Sequence, residues 1–322
     1  MSESLGWCVE AVRAAEEPAL SRALLALRGR HTRRAGGPAR IRERGGLGPL
    51  LELVGPEKPR RILELALSVI GNCCTERGCR RQARSLGGIP RLVSVLALTS
   101  APESVRNRAA RALANLALEP DGARDVLEAG AAPLLISLTS TCSTPGCLLS
   151  AARALRILGA PQNQRERPQN QRERPQNQRE QPQNQRERPQ NQRERPQNQR
   201  ERPQNQRERP QNRPPLSPQS RLQAAQALAG RLAALDRADP SCPALARALR
   251  GLLAVTPCPV AVAEAVRPAL RVLAALAAQE RPRWPEGRGA ALDTLAMVSA
   301  RGWLRPELGA AGAVEAAVAA IG

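Results

Sequence analysis

The chain has almost no aromatic side chains. Of its 322 residues none is Phe or Tyr and three are Trp, so aromatic residues make up 1% of the composition. Sheet-based folds depend on aromatic and β-branched residues for their cores. This chain is instead rich in Ala, Leu and Arg, which favour helices. The composition therefore excludes an all-β fold and predicts an all-α one.

Histidine is also scarce. His31 is the one histidine of the chain, so His-based catalysis and His-rich metal sites are excluded by composition. The sequence contains no glycine-rich phosphate loop, no paired-carboxylate motif and no nucleophile elbow. We therefore expect a protein that is not an enzyme and that uses no cofactor and no metal.

Part of the net charge of +20 comes from a low-complexity repeat. From Pro161 the unit Pro-Gln-Asn-Gln-Arg-Glu-Arg runs seven times, through Arg209, with one deviation at Gln181. A seven-residue period is typical of coiled coils, which need apolar residues at two positions of each unit and no proline. These units hold a proline and no apolar residue, so we predict a disordered linker over residues 161–219.

The basic residues are almost all arginine, with 48 Arg and a single Lys, Lys58. Residues 161–213 hold 14 Arg and 7 Glu and so account for +7 of the charge. Proteins that bind phosphate commonly use both cations. GC-rich coding and duplication of a short unit therefore explain the excess better than selection for nucleic-acid binding, and a selected polybasic arm stays the alternative.

A longer repeat lies in the apolar segments. Blocks headed by Gly46, Gly88 and Gly130 follow one another at a spacing of 42 residues, each with a proline two or three residues later. Proline at that place suits the first turn of a helix. In the second unit the apolar pattern predicts a long helix over residues 103–118 and a short one over 124–129. Three helices in about 42 residues are typical of armadillo and HEAT solenoids.

Particular strings make this resemblance more specific. Residues 22–28 (RALLALR), 66–76 (ALSVIGNCCTE) and 107–120 (NRAARALANLALEP) resemble the N-terminal solenoid of an armadillo-repeat family whose members carry a BTB domain, and similarity resumes at 304–308 and 312–315. The chain is thus identified as all-α, an armadillo-type α-solenoid interrupted by a disordered low-complexity linker. Its expected organisation is armadillo repeats over 1–160, the linker over 161–219, and further armadillo-like helices over 220–322.

The helices after the linker are predicted over residues 222–235, 244–253 and 260–278, but their repeat boundaries cannot be assigned from the pattern. The last helix stops without the polar cap that ends a solenoid. We therefore expect a truncated or partial chain that dissolves poorly when it is expressed alone.

The resemblance also indicates where a partner would bind. Armadillo proteins hold extended peptides on the surface of their long helices, where an Asn binds the peptide main chain and a Trp four residues earlier stacks on its side chains. Asn72 and Asn115 match that Asn, but Ser68 and Arg111 stand where the Trp would be. An importin-like receptor for basic signals is therefore disfavoured.

Five residues are the candidates for partner binding, and they combine amide and guanidinium groups: Asn72, Arg108, Arg111, Asn115 and Arg153. The arginines should make this face positive, so an acidic or phosphorylated protein segment is the expected partner. Two plainer interpretations remain open. The Asn residues could make local backbone bonds, and the Arg residues could form an ordinary solvated surface.

The resemblance implies the substrate-recognition region of a cullin-3 ubiquitin ligase adaptor, with the largest subunit of RNA polymerase II as a client. Cullin-3 would be bound only through a BTB domain, which is missing from this sequence. The resemblance further implies a location in cytoplasm and nucleus and leaves a homo-oligomer of the full-length protein open.

An alternative of another class is nucleic-acid or acidic-partner binding through the Arg-rich linker and the solenoid face. Nucleic acid is disfavoured, because single-strand binders combine charge with aromatic stacking residues and no aromatic accompanies the basic segments.

The eight cysteines are predicted to be free thiols. The spacings Cys73-Cys74-x4-Cys79 and Cys142-x4-Cys147 do not match the two close pairs of a zinc ribbon or finger. Small buried thiols in a reducing compartment are the expected state. The N-terminus has no secretory signal and no apolar run approaches about 18 residues, so no membrane partner is expected.

Overall fold

The computed structural model describes residues 3–160, 216–236, 238–254, 259–278, 285–300 and 304–321. All regular secondary structure in these ranges is helical, which confirms the all-α prediction. The described ranges fall in one compact unit, formed by Met1–Glu166 together with Pro214–Gly322. The heptad insert, for which we predict disorder, lies outside the described residues.

Eleven helices precede the insert in the described part of the chain. They are α1 Leu5–Ala14, α2 Ala19–Ala26, α3 Gly37–Glu43, α4 Leu47–Glu52, α5 Arg60–Cys73, α6 Arg77–Ser85, α7 Gly88–Ala97, α8 Glu103–Leu116, α9 Pro120–Glu128, α10 Ala131–Thr141 and α11 Pro145–Gly159. A π-helical turn over Leu27–His31 extends α2.

Seven more helices follow the insert. They are α12 Pro218–Ala234, α13 Cys242–Leu253, α14 Pro259–Val266, α15 Leu270–Ala277, α16 Pro285–Ser299, α17 Arg305–Ala310 and α18 Ala313–Ile321. Helix α12 begins inside the range predicted as linker, and α9 begins four residues before the predicted residue 124.

Three complete repeats lie before the insert, and each consists of two short helices and one long helix. They are α3–α5, α6–α8 and α9–α11. Helix α5 packs against α8, and α8 packs against α11, so the long helices form a continuous row. The long helices bury Leu and Ala residues along this row, including Leu67, Leu113 and Leu155 with no exposed surface. Stacking on neighbours supplies the core that one repeat cannot form alone.

The row continues on the far side of the insert. Helix α13 packs against α11 and α16 packs against α13, while α12 packs against α10. Helices α12 and α13 therefore take the places of the second and third helices of a fourth repeat, and α14–α16 form a fifth. Contact between α11 and α13 is close, since a Cβ added to Gly159 would clash with Cδ2 of Leu252. These contacts assign the boundaries that the sequence pattern left open.

One predicted helix is wrong. The continuous helix expected over 260–278 is divided into α14 and α15 by a 3-10 turn over Arg267–Ala269. Pro268 lies in that turn. Its nitrogen carries no hydrogen and its ring clashes with the preceding turn of an α-helix, which breaks a helix that the apolar pattern alone would continue.

A glycine with a left-handed backbone separates the first and second short helices of each complete repeat. The φ angles are +69° at Gly45, +69° at Gly87 and +80° at Gly130, and Gly312 has +79° before α18. This conformation is costly for residues with a Cβ. In the first two repeats the left-handed residues are Gly45 and Gly87. Each directly precedes one of the glycines, Gly46 and Gly88, that define the 42-residue spacing.

Candidate peptide-binding face on the long helices

Side chains of neighbouring long helices are joined by hydrogen bonds between positions about 40 residues apart. Arg111 on α8 donates from its guanidinium to Oδ1 of Asn72 on α5, at 2.9 Å. Asn72 in turn donates from Nδ2 to Oγ1 of Thr32, at 3.1 Å. Thr32 follows the π-helical turn, and its hydroxyl donates to the carbonyl oxygen of Arg28. We call the surface of α5, α8 and α11 that carries Asn72, Arg108, Arg111 and Arg153 the long-helix face.

Arg108 takes part in a second set of bonds on this face. Its Nε donates to Oγ of Ser68 at 2.8 Å, and a terminal nitrogen donates to the carbonyl oxygen of Ser104 at 2.6 Å. Glu64 lies beside them and accepts from Ser104 and Arg60. Burial opposes its ionisation, but these bonds and the nearby Arg108 charge lower the pKa of Glu64. Arg108 is therefore anchored between α5 and α8 and lies near a carboxylate.

Asn115 requires a correction among the predicted partner-binding residues. Only 3% of its surface is exposed, and Nδ2 donates to the carbonyl oxygen of Gly71 at 2.8 Å. The side chain thus ties α8 to the end of α5 from within the core and does not face a partner. The acceptor is 44 residues away on another helix, so this is a bond between repeats and not the local backbone bond that the sequence left open for such an Asn. In the next repeat the position that corresponds to Asn115 holds Ile157, which is buried and has no amide for this bond.

Arg153 and Arg156 extend the positive charge onto α11. Burial and the neighbouring charges of Arg156 and Arg111 lower the pKa of Arg153. Burial and the Arg247 charge lower the pKa of Arg156. Within the described residues neither guanidinium of α11 has a hydrogen bond or an ion pair. The three arginines at 111, 153 and 156 therefore form a cluster without a carboxylate.

Arginines on the first helix of each repeat (α3, α6 and α9) are instead paired with carboxylates. Arg84 on α6 pairs with Asp125 on α9 at 2.7 Å, and Arg80 pairs with Glu119 at 3.1 Å. Arg42 on α3 lies 3.6 Å from Glu76. Carboxylates of the next repeat thus compensate positive charge on that side of the solenoid.

The long-helix face contains an open pocket of about 480 Å³ at its N-terminal end. Three guanidinium groups, three hydroxyl groups and one amide line it: Arg28, Arg33, Arg111, Thr32, Ser68, Thr75 and Asn72. We call it the arginine pocket. Its lining includes no carboxylate.

The sequence pattern led to Asn72 and Arg111 but missed the residues that complete the arginine pocket. Arg28 and Thr32 precede Ser68 and Asn72 by 40 residues each, the offset that also separates Ser68 from Arg108. Extending that offset backward from α5 would have found them. The pattern was hidden because α2 has no complete three-helix unit around it.

The remaining candidate chemistry is structural. His31 Nε2 lies 3.1 Å from the carbonyl oxygen of Glu3, and burial and nearby Arg charges lower its pKa. Seven cysteines are free and buried, and burial raises the pKa of Cys74 to about 12. Cys258 lies outside the described residues. The part of the chain that the structure describes contains no His, Cys, Asp and Glu grouping suited to a metal. None of its helices has the length and apolarity needed to cross a membrane.

A family model described as ARMC5 matches residues 61–172. This chain is therefore similar to ARMC5 over that region. Armadillo repeat-containing protein 5 of Mus musculus is 37% identical in an alignment of length 191, and the match covers 42% of this chain and 20% of that protein. The matched part thus spans about a fifth of the ARMC5 relative, and the predicted resemblance is confirmed for the solenoid.

Solved structures show the same fold. The designed armadillo repeat protein YIII(Dq)4CqI superposes with a TM-score of 0.64 at 18% identity, covering 92% of this chain and all of that one. A second designed armadillo repeat protein, YIII(Dq.V1)4CPAF in complex with the peptide (KR)4, gives 0.63 at 18% identity with the same coverage. The armadillo-type solenoid predicted for the ARMC5-like chain is therefore confirmed.

Proposed function

We propose that the chain is a non-catalytic binding module whose long-helix face holds an extended protein segment that is acidic or phosphorylated. The ARMC5 match and the solenoid fold support a protein-binding repeat domain. The observation that carries the finer proposal is the cluster of Arg111, Arg153 and Arg156 without a carboxylate partner within the described residues. Arginine forms two parallel hydrogen bonds with a carboxylate or phosphate.

Repulsion between the arginines of this cluster favours binding of a negatively charged partner. Burial and the like charges of Arg156 and Arg111 lower the pKa of Arg153, so positive charges repel one another at this place. A bound carboxylate or phosphate would relieve this repulsion. The proposed partner is therefore opposite in charge to the basic peptide (KR)4 in the complex of the designed armadillo protein.

Peptide binding to the full chain tests this function. An Asp/Glu-rich peptide of about twelve residues, a neutral peptide of equal length and the basic peptide (KR)4 would be compared by fluorescence anisotropy. We expect the acidic peptide to bind at least about tenfold more tightly than the others, a difference of about 1.4 kcal/mol. Preference for the basic or neutral peptide would contradict the proposal.

Charge reversal locates the binding surface. Arg111→Glu combined with Arg153→Glu should abolish binding of the acidic peptide while circular dichroism shows unchanged helicity. Arg124→Glu is the matched control, because Arg124 is an exposed arginine on α9 paired with Asp121. It should bind the acidic peptide as the original chain does. Unchanged binding in the double variant would remove the long-helix face from consideration.

A finer role follows from the resemblance. We propose that, in a longer protein, this solenoid selects the client of a cullin-3 ubiquitin ligase and a BTB domain binds the ligase, in cytoplasm and nucleus. The largest subunit of RNA polymerase II is the proposed client. The purified subunit should bind the immobilised chain. This binding should be lost in the Arg111→Glu, Arg153→Glu variant. Equal retention by both chains would contradict this role.

Nucleic-acid binding is the competing outcome. An RNA of generic sequence would be titrated in a salt series, because contacts with phosphates make affinity fall steeply with salt. We expect weak binding that deletion of residues 161–213 does not change. RNA affinity that exceeds acidic-peptide affinity and disappears on this deletion would overturn the protein-binding proposal.

A further inference from the structure

We propose that the arginine pocket is a recognition site for a phosphate monoester on the partner, the side chain of a phosphorylated Ser or Thr. The inference rests on the proposed function and specifies where on the long-helix face the most highly charged group of the segment binds. The other arginines of the face would then contact residues of the same segment farther along.

The lining of the arginine pocket carries only donors and neutral groups. Guanidinium groups come from Arg28, Arg33 and Arg111, and none of the lining residues is acidic. Within the described part of the chain, the guanidinium groups of Arg28 and Arg33 have no hydrogen bond or ion pair. Both side chains are accessible, since Arg28 is half-buried and Arg33 is exposed. Two guanidinium forks are thus available to a ligand without loss of an existing contact.

Three of the residues that line the arginine pocket, Asn72, Thr75 and Ser68, are held by hydrogen bonds before any ligand binds. Asn72 is fixed between Arg111 and Thr32 by bonds of 2.9 and 3.1 Å. The Thr75 hydroxyl donates to the carbonyl oxygen of Asn72 at 2.7 Å, and Ser68 is held by Arg108. Asn72 donates one of its two amide hydrogens to Thr32, so the second can reach a ligand oxygen. Such preorganisation reduces the ordering cost of binding.

The number of cationic groups favours a phosphate over a carboxylate. A phosphorylated side chain carries a charge of about −1.5 to −2 at neutral pH and three acceptor oxygens, whereas Asp or Glu carries one charge. Three guanidinium groups around one pocket match the first better than the second. The volume of about 480 Å³ is also ample for a phosphorylated side chain together with ordered water.

The location of the arginine pocket fits an extended segment. Arg111 lines the pocket and also belongs to the cluster with Arg153 and Arg156. A segment anchored at the pocket can therefore continue along the row of long helices toward α11 and remain next to positive charge. Phosphorylation would act as an increment in affinity at one end of this segment.

A set of matched peptides tests the inference on the full chain. One acidic peptide would be made with Ser, Glu or phosphoserine at a single position, scanned along its length. At one register we expect phosphoserine to bind at least about tenfold more tightly than Ser, and Glu to gain much less. In the Arg28→Ala, Arg33→Ala variant the phosphoserine advantage should disappear, so that the phosphoserine and Ser peptides bind this variant with about equal affinity.

Further variants separate specific recognition from general charge. Arg81→Ala with Arg124→Ala removes two exposed arginines of the first helices and should keep the phosphoserine advantage. Arg28→Lys with Arg33→Lys keeps the charge but not the guanidinium forks, and should restore only part of the advantage. Circular dichroism would verify that each variant is folded. Equal loss of the advantage in the control would overturn the inference.

Two other sources of the phosphate group are arms of the same experiment. Inorganic phosphate at about 10 mM should weaken binding of the phosphoserine peptide without changing the affinity for the Ser peptide. Vesicles with and without a phosphoinositide should not bind through Arg28 and Arg33, and vesicle binding that these two residues control would overturn the assignment to a peptide. If the acidic peptides bind but phosphoserine gives no advantage at any position, the pocket assignment is overturned and the proposed function stands. Loss of all acidic-peptide binding in the original chain defeats the proposed function.

Discussion

Arg111 and Asn72 lie thirty-nine residues apart in the chain and share a hydrogen bond of 2.9 Å between two neighbouring long helices. The guanidinium supplies the donor, and the amide oxygen accepts without cancelling its charge. A neutral acceptor thus fixes the position of Arg111 and leaves its charge available to a partner. The chain could have used a carboxylate at this place, as it does between Arg84 and Asp125.

Asn72→Asp tests that distinction, since it changes shape very little and adds a negative charge beside Arg111. We expect the fold to remain as stable or to become slightly more stable, because the new pair is charge-assisted. Affinity for the acidic peptide should fall about fivefold, or about 1 kcal/mol, as measured by anisotropy. Ser94→Asp, which adds one charge to exposed α7, is the control and should cause little change. A variant at Asn72 that binds normally would show that Arg111 does not contact the segment.

Asn115→Ala should destabilise the solenoid. Removing the amide leaves the buried carbonyl oxygen of Gly71 without its donor, which costs about 1–3 kcal/mol. Urea denaturation followed by circular dichroism would measure the loss. Asn72→Ala is the matched variant on the accessible surface and should cost less than about 0.5 kcal/mol. Equal stabilities for the two variants would contradict the structural role assigned to Asn115.

Glu103 is expected to make stability depend on pH. Hydrogen bonds from Thr144 and Ser143 lower its pKa from 4.5 to about 2. A group whose pKa is lower in the folded state stabilises the fold above its unfolded pKa. This contribution should be complete above about pH 5 and should disappear as the pH falls toward 2. Because the carboxylate is largely in contact with solvent, we expect about 1 kcal/mol at most.

Glu103→Gln should remove that contribution. At pH 7 the variant should be less stable than the original chain, and the difference should narrow as the pH falls from about 5 to 2. Denaturation curves at several pH values would measure both. Glu10→Gln, on the exposed side of α1, serves as the reference. A constant difference across the range would show that the Glu103 charge makes no contribution.

Replacement by Ala should have opposite effects on stability at Gly130 and at Gly71. Neither position has a heavy atom within 4 Å of an added Cβ, so steric clash is absent at both. Gly130 has a φ of +80°, which costs a residue with a Cβ about 1–2 kcal/mol. Gly71 lies inside α5, where Ala is favoured over Gly by about 0.5–1 kcal/mol. Thermal denaturation should place Gly130→Ala below the original chain and Gly71→Ala above it.

The sequence was informative wherever a single repeat contains the evidence. The spacing of the glycine-led blocks predicted stacked three-helix units, because each unit repeats the same turn and the same apolar pattern. The apolar pattern likewise predicted the long helix α8, and the armadillo resemblance then indicated the surface that carries Arg111. Such features are local, and each can be recognised without knowledge of the neighbouring repeat.

The features that were missed depend on contacts between repeats. Whether Asn115 faces a ligand or the core depends on the carbonyl of Gly71 on the preceding helix, which a pattern within α8 does not reveal. Arg28 lies in the π-helical turn after α2 and Thr32 directly follows it, with no complete unit around them, so their equivalence to Ser68 and Asn72 appears only in the stacked fold. The repeats after the insert were obscured because residues 161–219 interrupt the period.

The close packing of α11 against α13, with Gly159 next to Leu252, bears on what happens when the chain is cut. The helices on either side of residues 161–213 share a buried core, so the covalent connection is not what keeps them together. Protease cleavage within that stretch should yield two fragments that co-elute as one species in size-exclusion chromatography and separate only under denaturing conditions. The two halves should also reassemble when they are produced as separate polypeptides and mixed.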